Sequence, residues 1–239
     1  MTTNTTGVRV CRGNDRGATD IGWLKSRHSF SFGEFQNNQR MGYGALRVLN
    51  DDVVAPGGGF QEHGHRDMEI ISFVLDGALE HRDSAGNHEV LGPGDVQVMS
   101  AGTGIRHAEL NASSSKRVHF IQIWIMPNRA GHAPRHEILS RSDRVHDHWF
   151  EIASGDPKKT GLRINQDAAV AVADLRSGST IGVMIKAGRL GYLHVATGVV
   201  DAEGVRLNPG DALELDAGSS VSLRGEEVAK LLFFDLPMA

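Results

Sequence analysis

The sequence predicts an all-β protein, sandwich or barrel, with the β-domain repeated along the chain. Three observations carry this reading. Short apolar runs bounded by Gly, Asp, Asn and Pro recur from end to end, and no stretch holds a helical period over three turns. Glycine is abundant, at 29 of 239 residues against roughly 7% in average usage. Two segments of the second half repeat the layout of two segments of the first.

The strand-length runs include Leu46–Leu49, Ile70–Leu75, Val96–Met99, Val118–Met126, Gly182–Ile185 and Leu231–Phe234, many rich in Val, Ile and Phe. Turn signals separate them: Asp76-Gly77, Ala85-Gly86-Asn87, Pro93-Gly94-Asp95 and Pro209-Gly210-Asp211. Short helices remain possible between Ile138 and Phe150. The segment Pro127–Gly161 is polar and charged, and it reads as the connection between two domains. The expected division is 1–128, a connecting segment 129–160, and 161–239. His132, His136, His146 and His148 fall in the connection and are expected to be solvated.

The repeat sets Leu91–Thr103 (LGPGDVQVMSAGT) against Leu207–Ser219 (LNPGDALELDAGS), an offset of 116. Upstream, Val74–His81 reads against Val195–Ala202, an offset of 121. The change of five predicts a shorter hairpin in the second copy.

Charge and cysteine content narrow the function classes. The net charge is −4 and no segment is dense in Lys or Arg, which disfavours a nucleic-acid footprint. Cys11 is the single cysteine, so no intramolecular disulfide forms and a reducing compartment fits. The start, MTTNTTGVRV, lacks the charged and apolar regions of a secretory leader, and the longest apolar run, Ile121–Met126, is too short to span a bilayer. A cytoplasmic protein without membrane contact is expected.

Histidine is distributed unevenly: eleven of twelve lie at or before His148. His63 and His65 are two apart, so on a strand both imidazoles face one way. Glu69 shares their parity if that strand continues unbroken. His107 and Glu109 are again two apart. Two such strands meeting in one interior would bring three imidazoles and a carboxylate together. Imidazole suits Zn, Cu, Fe and Ni, and one added carboxylate oxygen suits a redox-capable or Lewis-acid site. Parity leaves the choice between Glu69 and Glu109 open.

The spacing of Gly57, His63, His65, Glu69 and Gly77 resembles the first cupin motif, and Gly104, His107 and Asn111 resemble the end of the second. GWLKSRHSFSFGEF, GALRVLNDD, HGHRDMEIISFVLDGALEHRDSAGN and PGDVQVMSAGTGIRHAE resemble the pirin family of bicupins, densely from Gly22 to Pro127 and more thinly to Pro237.

The resemblance implies two β-barrel (jelly-roll, cupin) domains in tandem. It implies one divalent metal, commonly Fe(2+) with other transition metals as alternatives, held by His63, His65, His107 and Glu109. Glu69 then has a supporting role. Gly64 departs from the family, whose members often carry proline between the two histidines. The second copy keeps no ligand: the offsets set His107 and Glu109 against Leu223 and Gly225, and His63 and His65 against Met184 and Lys186.

The activity implied is that of a quercetin 2,3-dioxygenase, which cleaves a flavonol ring with dioxygen. Glu109 is then both ligand and catalytic base for the 3-hydroxyl proton, and the partners are a small aromatic substrate and dioxygen. The alternative the resemblance carries is a redox-responsive regulator that binds a transcription factor or a metabolic enzyme.

Overall fold

A computed structural model describes residues 7–140 and 146–238. In chain order the strands are β1 Val8–Cys11, β2 Gly17–Asp20, β3 Leu24–His28, β4 Leu46–Val54, β5 Gly59–His65, β6 Glu69–Asp76, β7 Leu79–Asp83, β8 His88–Leu91, β9 Val96–Ser100, β10 Ile105–Asn111 and β11 Val118–Ile125. They continue as β12 Arg135–Leu139, β13 Phe150–Ser154, β14 Leu162–Arg163, β15 Ala169–Leu175, β16 Thr180–Met184, β17 Arg189–Thr197, β18 Val200–Ala202, β19 Val205–Leu207, β20 Ala212–Leu215, β21 Ser220–Gly225 and β22 Ala229–Pro237. Among the described residues the single helical element is a 3-10 turn, Gly13–Asp15. No helix among them is long and apolar enough to cross a membrane. The described part of Ile138–Phe150, where the sequence leaves short helices possible, holds none, and residues 141–145 lie outside the described residues.

The chain forms two compact units. The first collects β2–β12 with β14, and the second collects β1, β13 and β15–β22. In the first, one sheet runs β12-β9-β6-β11-β4-β3-β2 and a second runs β5-β10-β7-β8. The two sheets of each unit are hydrogen-bonded separately, so each unit is the jelly roll expected, with its sheets not closed into a continuous barrel. The chain changes sheets at breaks. One is Arg66–Met68, where Asp67 takes a left-handed φ of 48° and β5 gives way to β6 in the other sheet.

The stretch 129–160 is not merely a connection. Arg135–Leu139 pairs along β9 in the first unit, and Phe150–Ser154 pairs along β15 in the second. The N-terminal Val8–Cys11 pairs with β20, so it too adds to the second unit. Half-buried polar edge strands such as β12 carry little hydrophobic periodicity, which is why composition marks them as loop.

The large sheet of the first unit buries rows of side chains against the small one. Val48, Trp124, Ile70 and Met99 form one row, in register across β4, β11, β6 and β9. The next row is polar: His28, Asn50, Gln122, Ser72 and Gln97, each 6% exposed or less. Beyond it lie Phe120 and Val74, part of an apolar cluster with Leu24, Val54, Leu79, Leu91 and Val118. A buried polar row between apolar ones persists only where its groups are hydrogen-bonded or have work to do.

The second unit repeats the plan, with its small sheet ordered β16-β21-β18-β19 around a core that includes Leu193, Val195, Leu213, Leu223 and Leu231. Its hairpin is the shorter one. Only Glu203 and Gly204 join β18 to β19, both at positive φ, whereas residues 84–87 join β7 to β8. Two consecutive positive-φ residues match the twist of a two-residue hairpin.

Candidate metal centre

β5 and β10 are antiparallel neighbours, and His63 lies directly opposite His107. Alternation along β5 puts His65 on the same face. The rings converge, with centroids 4.6 Å apart for His63–His107, 4.7 Å for His63–His65 and 4.9 Å for His65–His107. One nitrogen from each of the three lies within 4.8 Å of the others. Gly59 makes this approach feasible, because a Cβ there would stand 2.6 Å from the Glu109 carbonyl oxygen. Gly64 has no close neighbour, so the position carries no comparable demand.

Hydrogen bonding and burial set the protonation of these rings. His63 Nδ1 donates to the Gln61 carbonyl at 2.7 Å, which leaves Nε2 as its lone pair. His107 is 1% exposed, and both its ring nitrogens are buried with no hydrogen-bond partner. Burial, helped by the His107 and His63 imidazoles, holds the His65 pKa down from 6.5 to about 4. Burial and the nearby His63 and His81 hold that of His107 down to about 3. His65 and His107 are therefore available as neutral ligands near neutrality.

Glu109 sits beside this trio, 3% exposed, after a register shift in β10 between His107 and Glu109. Its carboxylate reaches across to the polar row of the opposite sheet. Oε1 accepts from Ser72 Oγ at 2.6 Å and Gln97 Nε2 at 2.8 Å; Oε2 accepts from Gln122 Nε2 at 2.6 Å. An ionised carboxylate offers about four lone-pair sites. Three are occupied, and the remaining one is on Oε2. An oxygen of Glu109 lies within 4.8 Å of nitrogens of His107 and His81.

Glu69 is engaged elsewhere. Its Oε2 accepts from Ser100 Oγ at 2.6 Å and its Oε1 from Asn165 Nδ2 at 3.0 Å. The parity argument linking it to His65 required an unbroken strand, and the Asp67 break removes that condition.

Two neighbours of the centre were not among the residues the sequence assigned to it. His81 is fully buried on β7, with Nε2 3.3 Å from Asp83 Oδ2, its Nδ1 unpartnered, and its ring 5.4 Å from that of His107. His136, expected to be solvated, is half-buried on β12 and stacks on His81 at 4.4 Å. Pairing of β12 with β9 carries it inward; His146 and His148 are exposed. The one available signal was the alternate spacing in His81-Arg82-Asp83, the same two-residue step as His63 and His65. Asp83 also accepts from the backbone N–H groups of Ala85 and Asn87 and from Asn87 Nδ2, capping the β7–β8 turn.

The three imidazoles and Glu109 line a cavity of about 280 Å³. Leu24, Phe32, Phe60, Ile70 and Trp124 form its apolar sides, and Thr19, Ser26, His28, Asn50 and Asp52 a polar wall. A wider cleft with Trp23, Pro56 and Gln61 also reaches His63, His65, Phe60 and Trp124. Of the apolar residues near the histidine motif, Phe60 lines both spaces, whereas Phe73 and Met99 are fully buried core.

Comparison with known proteins agrees with this architecture. Residues 10–125 match the Pirin family and residues 151–236 match the quercetinase C-terminal cupin domain. A quercetin 2,3-dioxygenase of Escherichia coli strain K12 is 41% identical over 230 residues, 96% of this chain and 99% of that protein. A pirin-like protein of Caulobacter vibrioides is 42% identical, covering 92% of this chain and 95% of its own. The crystal structure of an Escherichia coli bacterial pirin in complex with nickel(II) superposes with a TM-score of 0.91 at 39% identity, over 97% of this chain and all of that one. With this agreement of sequence and fold over nearly its whole length, the chain belongs to the pirin family of two-domain cupin proteins.

Proposed function

We propose that this chain is a metal-dependent dioxygenase of the pirin type, which opens the heterocyclic ring of flavonols such as quercetin with dioxygen. The observation that carries the reading is the meeting of His63, His65 and His107 at the end of a mostly apolar cavity, with His107 buried and both its nitrogens unpartnered. A buried imidazole without a partner is costly unless something fills the gap. A divalent cation suits the unpartnered His107 nitrogens and the three-imidazole donor set.

In this reading His63, His65, His107 and Glu109 hold one divalent ion, iron(II) foremost among several transition metals. Bound there, the ion supplies a Lewis acid for the flavonol 3-oxygen and redox capacity toward dioxygen.

The chain's own groups do the rest. Phe60, Ile70 and Trp124 receive the flat rings and exclude water. Glu109 accepts the 3-hydroxyl proton at Oε2, its one open lone-pair site. That site would take either the proton or the ion, so Glu109 would help hold a bound ion or serve as base, but not both at once. Ser72, Gln97 and Gln122 keep the carboxylate in place throughout.

The test loads purified protein in turn with iron, manganese, cobalt, nickel and copper. It then follows loss of the flavonol absorbance band together with dioxygen uptake. Uptake above free metal with at least one ion is expected; none with any ion overturns the reading.

A further inference from the structure

The polar row continues past the groups that hold Glu109. Gln97, Ser72 and Gln122 are accounted for by that carboxylate, but Asn50 and His28 extend the row in register, away from it. A sequence of ring contacts links the two parts of the cavity. His65 meets Trp124 at 5.0 Å, Trp124 meets Phe32 at 5.5 Å, and Phe32 meets His28 at 5.4 Å. His28 thus borders the cavity two rings removed from the imidazole trio.

This distant wall is built to a fixed orientation. The His28 ring is held by Thr19 Oγ1 at 2.8 Å on Nε2 and by Asn50 Oδ1 at 2.9 Å on Nδ1. An acceptor opposite Nδ1 makes Nδ1 the donor, so Nε2 receives the threonine hydroxyl. Asn50 commits its oxygen to this bond, and its Nδ2 is the donor left for the cavity. In the next row Asp52, 2% exposed, brings a carboxylate to the same wall. An oriented donor beside a carboxylate acceptor is the complement of a hydroxyl pair on an aromatic ring.

We propose that Asn50 and Asp52, with His28 and Thr19 as their support, form a specificity subsite for phenolic hydroxyls on the part of the substrate remote from the metal ligands. The inference rests on the flavonol reading, in which these are the vicinal hydroxyls of the pendant ring. Asp52 accepts from one hydroxyl, and Asn50 Nδ2 donates to the oxygen of the other. A site made to bond a substrate hydroxyl discriminates strongly against the analogue that lacks it.

Zinc-loaded protein, which carries out no redox chemistry, is titrated with quercetin and with galangin, the same flavonol without pendant-ring hydroxyls. Quenching of tryptophan fluorescence reports binding. Wild-type protein is expected to bind quercetin roughly tenfold tighter or more. Asp52→Ala and Asn50→Leu should bring the ratio of the two Kd values close to one, and Asp52→Asn should keep part of the preference. Thr19→Val, which only loosens His28, should lower the ratio partially and covers the case in which a buried variant fails to fold. Equal affinity for the two flavonols on wild-type protein overturns the subsite while leaving the dioxygenase reading intact, as does a ratio unmoved in every folded variant. Preferential binding without dioxygen uptake in the metal-loaded assay has the opposite meaning: the subsite stands and the activity does not.

Discussion

Gln97 and Glu109 lie on opposite sheets of the first unit, and Gln97 Nε2 donates to Glu109 Oε1 at 2.8 Å. With Ser72 and Gln122, this bond fastens the carboxylate that the small sheet presents to a row that the large sheet supplies. A hydrogen bond to a charged group contributes about 1.5–3 kcal/mol. Gln122→Leu, which strips Oε2 of its donor, is expected to cost a comparable amount in urea unfolding. It should also slow quercetin turnover at full metal loading, and unchanged values of both would remove the row from any part in the site.

His63→Ala and His107→Ala are each expected to abolish stoichiometric metal binding while leaving a folded protein. A chain of this length buries enough apolar surface to fold without a metal. Elemental analysis and a thermal melt decide it, and full occupancy in either variant refutes the ligand set.

Glu109→Gln is a harsher change than its size suggests. Its new NH2 group must face one of three donors, from Ser72, Gln97 or Gln122. On the proposed mechanism it also loses the base, for which a fall of roughly 10²–10⁴ in rate is expected. The comparison is made on metal-replete protein, so that slow turnover is separated from weak metal binding.

His81 borders His107 and is itself held by Asp83. Groups that orient a ligand imidazole typically tune metal affinity by roughly 10–100-fold. His81→Phe should weaken metal binding by that order in a competition titration with a chelator, with the protein still folded. An unaltered affinity assigns His81 to packing alone.

The lowered pKa values of His65 and His107 have a definite consequence for metal-free protein. Above about pH 6.5, imidazoles are neutral in folded and unfolded chains alike. Between there and about 4 the unfolded chain binds protons that the folded chain refuses, so stability falls as the pH falls. The melting temperature of metal-free protein should therefore drop on acidification from pH 7 to 5. The drop should be smaller in His107→Ala, and an equal slope in the two proteins contradicts the assignment.

The interior of the centre was legible in the sequence because strand parity is a local property. His63 with His65 and His107 with Glu109 each needed only a two-residue step. Resemblance, not spacing, chose Glu109 over Glu69, since nothing local announces that Asp67 breaks the strand. His136 was hidden for a different reason: its inward course depends on β12 pairing with β9, a partner some 40 residues distant. The polar wall was equally hidden. Asn50 and Asp52 read singly as turn-formers, and only cross-strand register aligns them with His28, Gln122 and Gln97.

That alignment also bears on how the chain finds its fold. A slip of one residue in any strand of the large sheet would turn its row member outward and bring its sequence neighbour inward. For β11 the intruder would be Ile121 or Ile123, an oily side chain that an apolar interior would accept without complaint. Here it would land opposite Glu109 and strand a buried anion. The misthreaded pairing is thus penalised at the centre of the sheet, where hydrophobic patterning alone discriminates least, and the residues that hold the carboxylate also serve as a proofreading line during assembly.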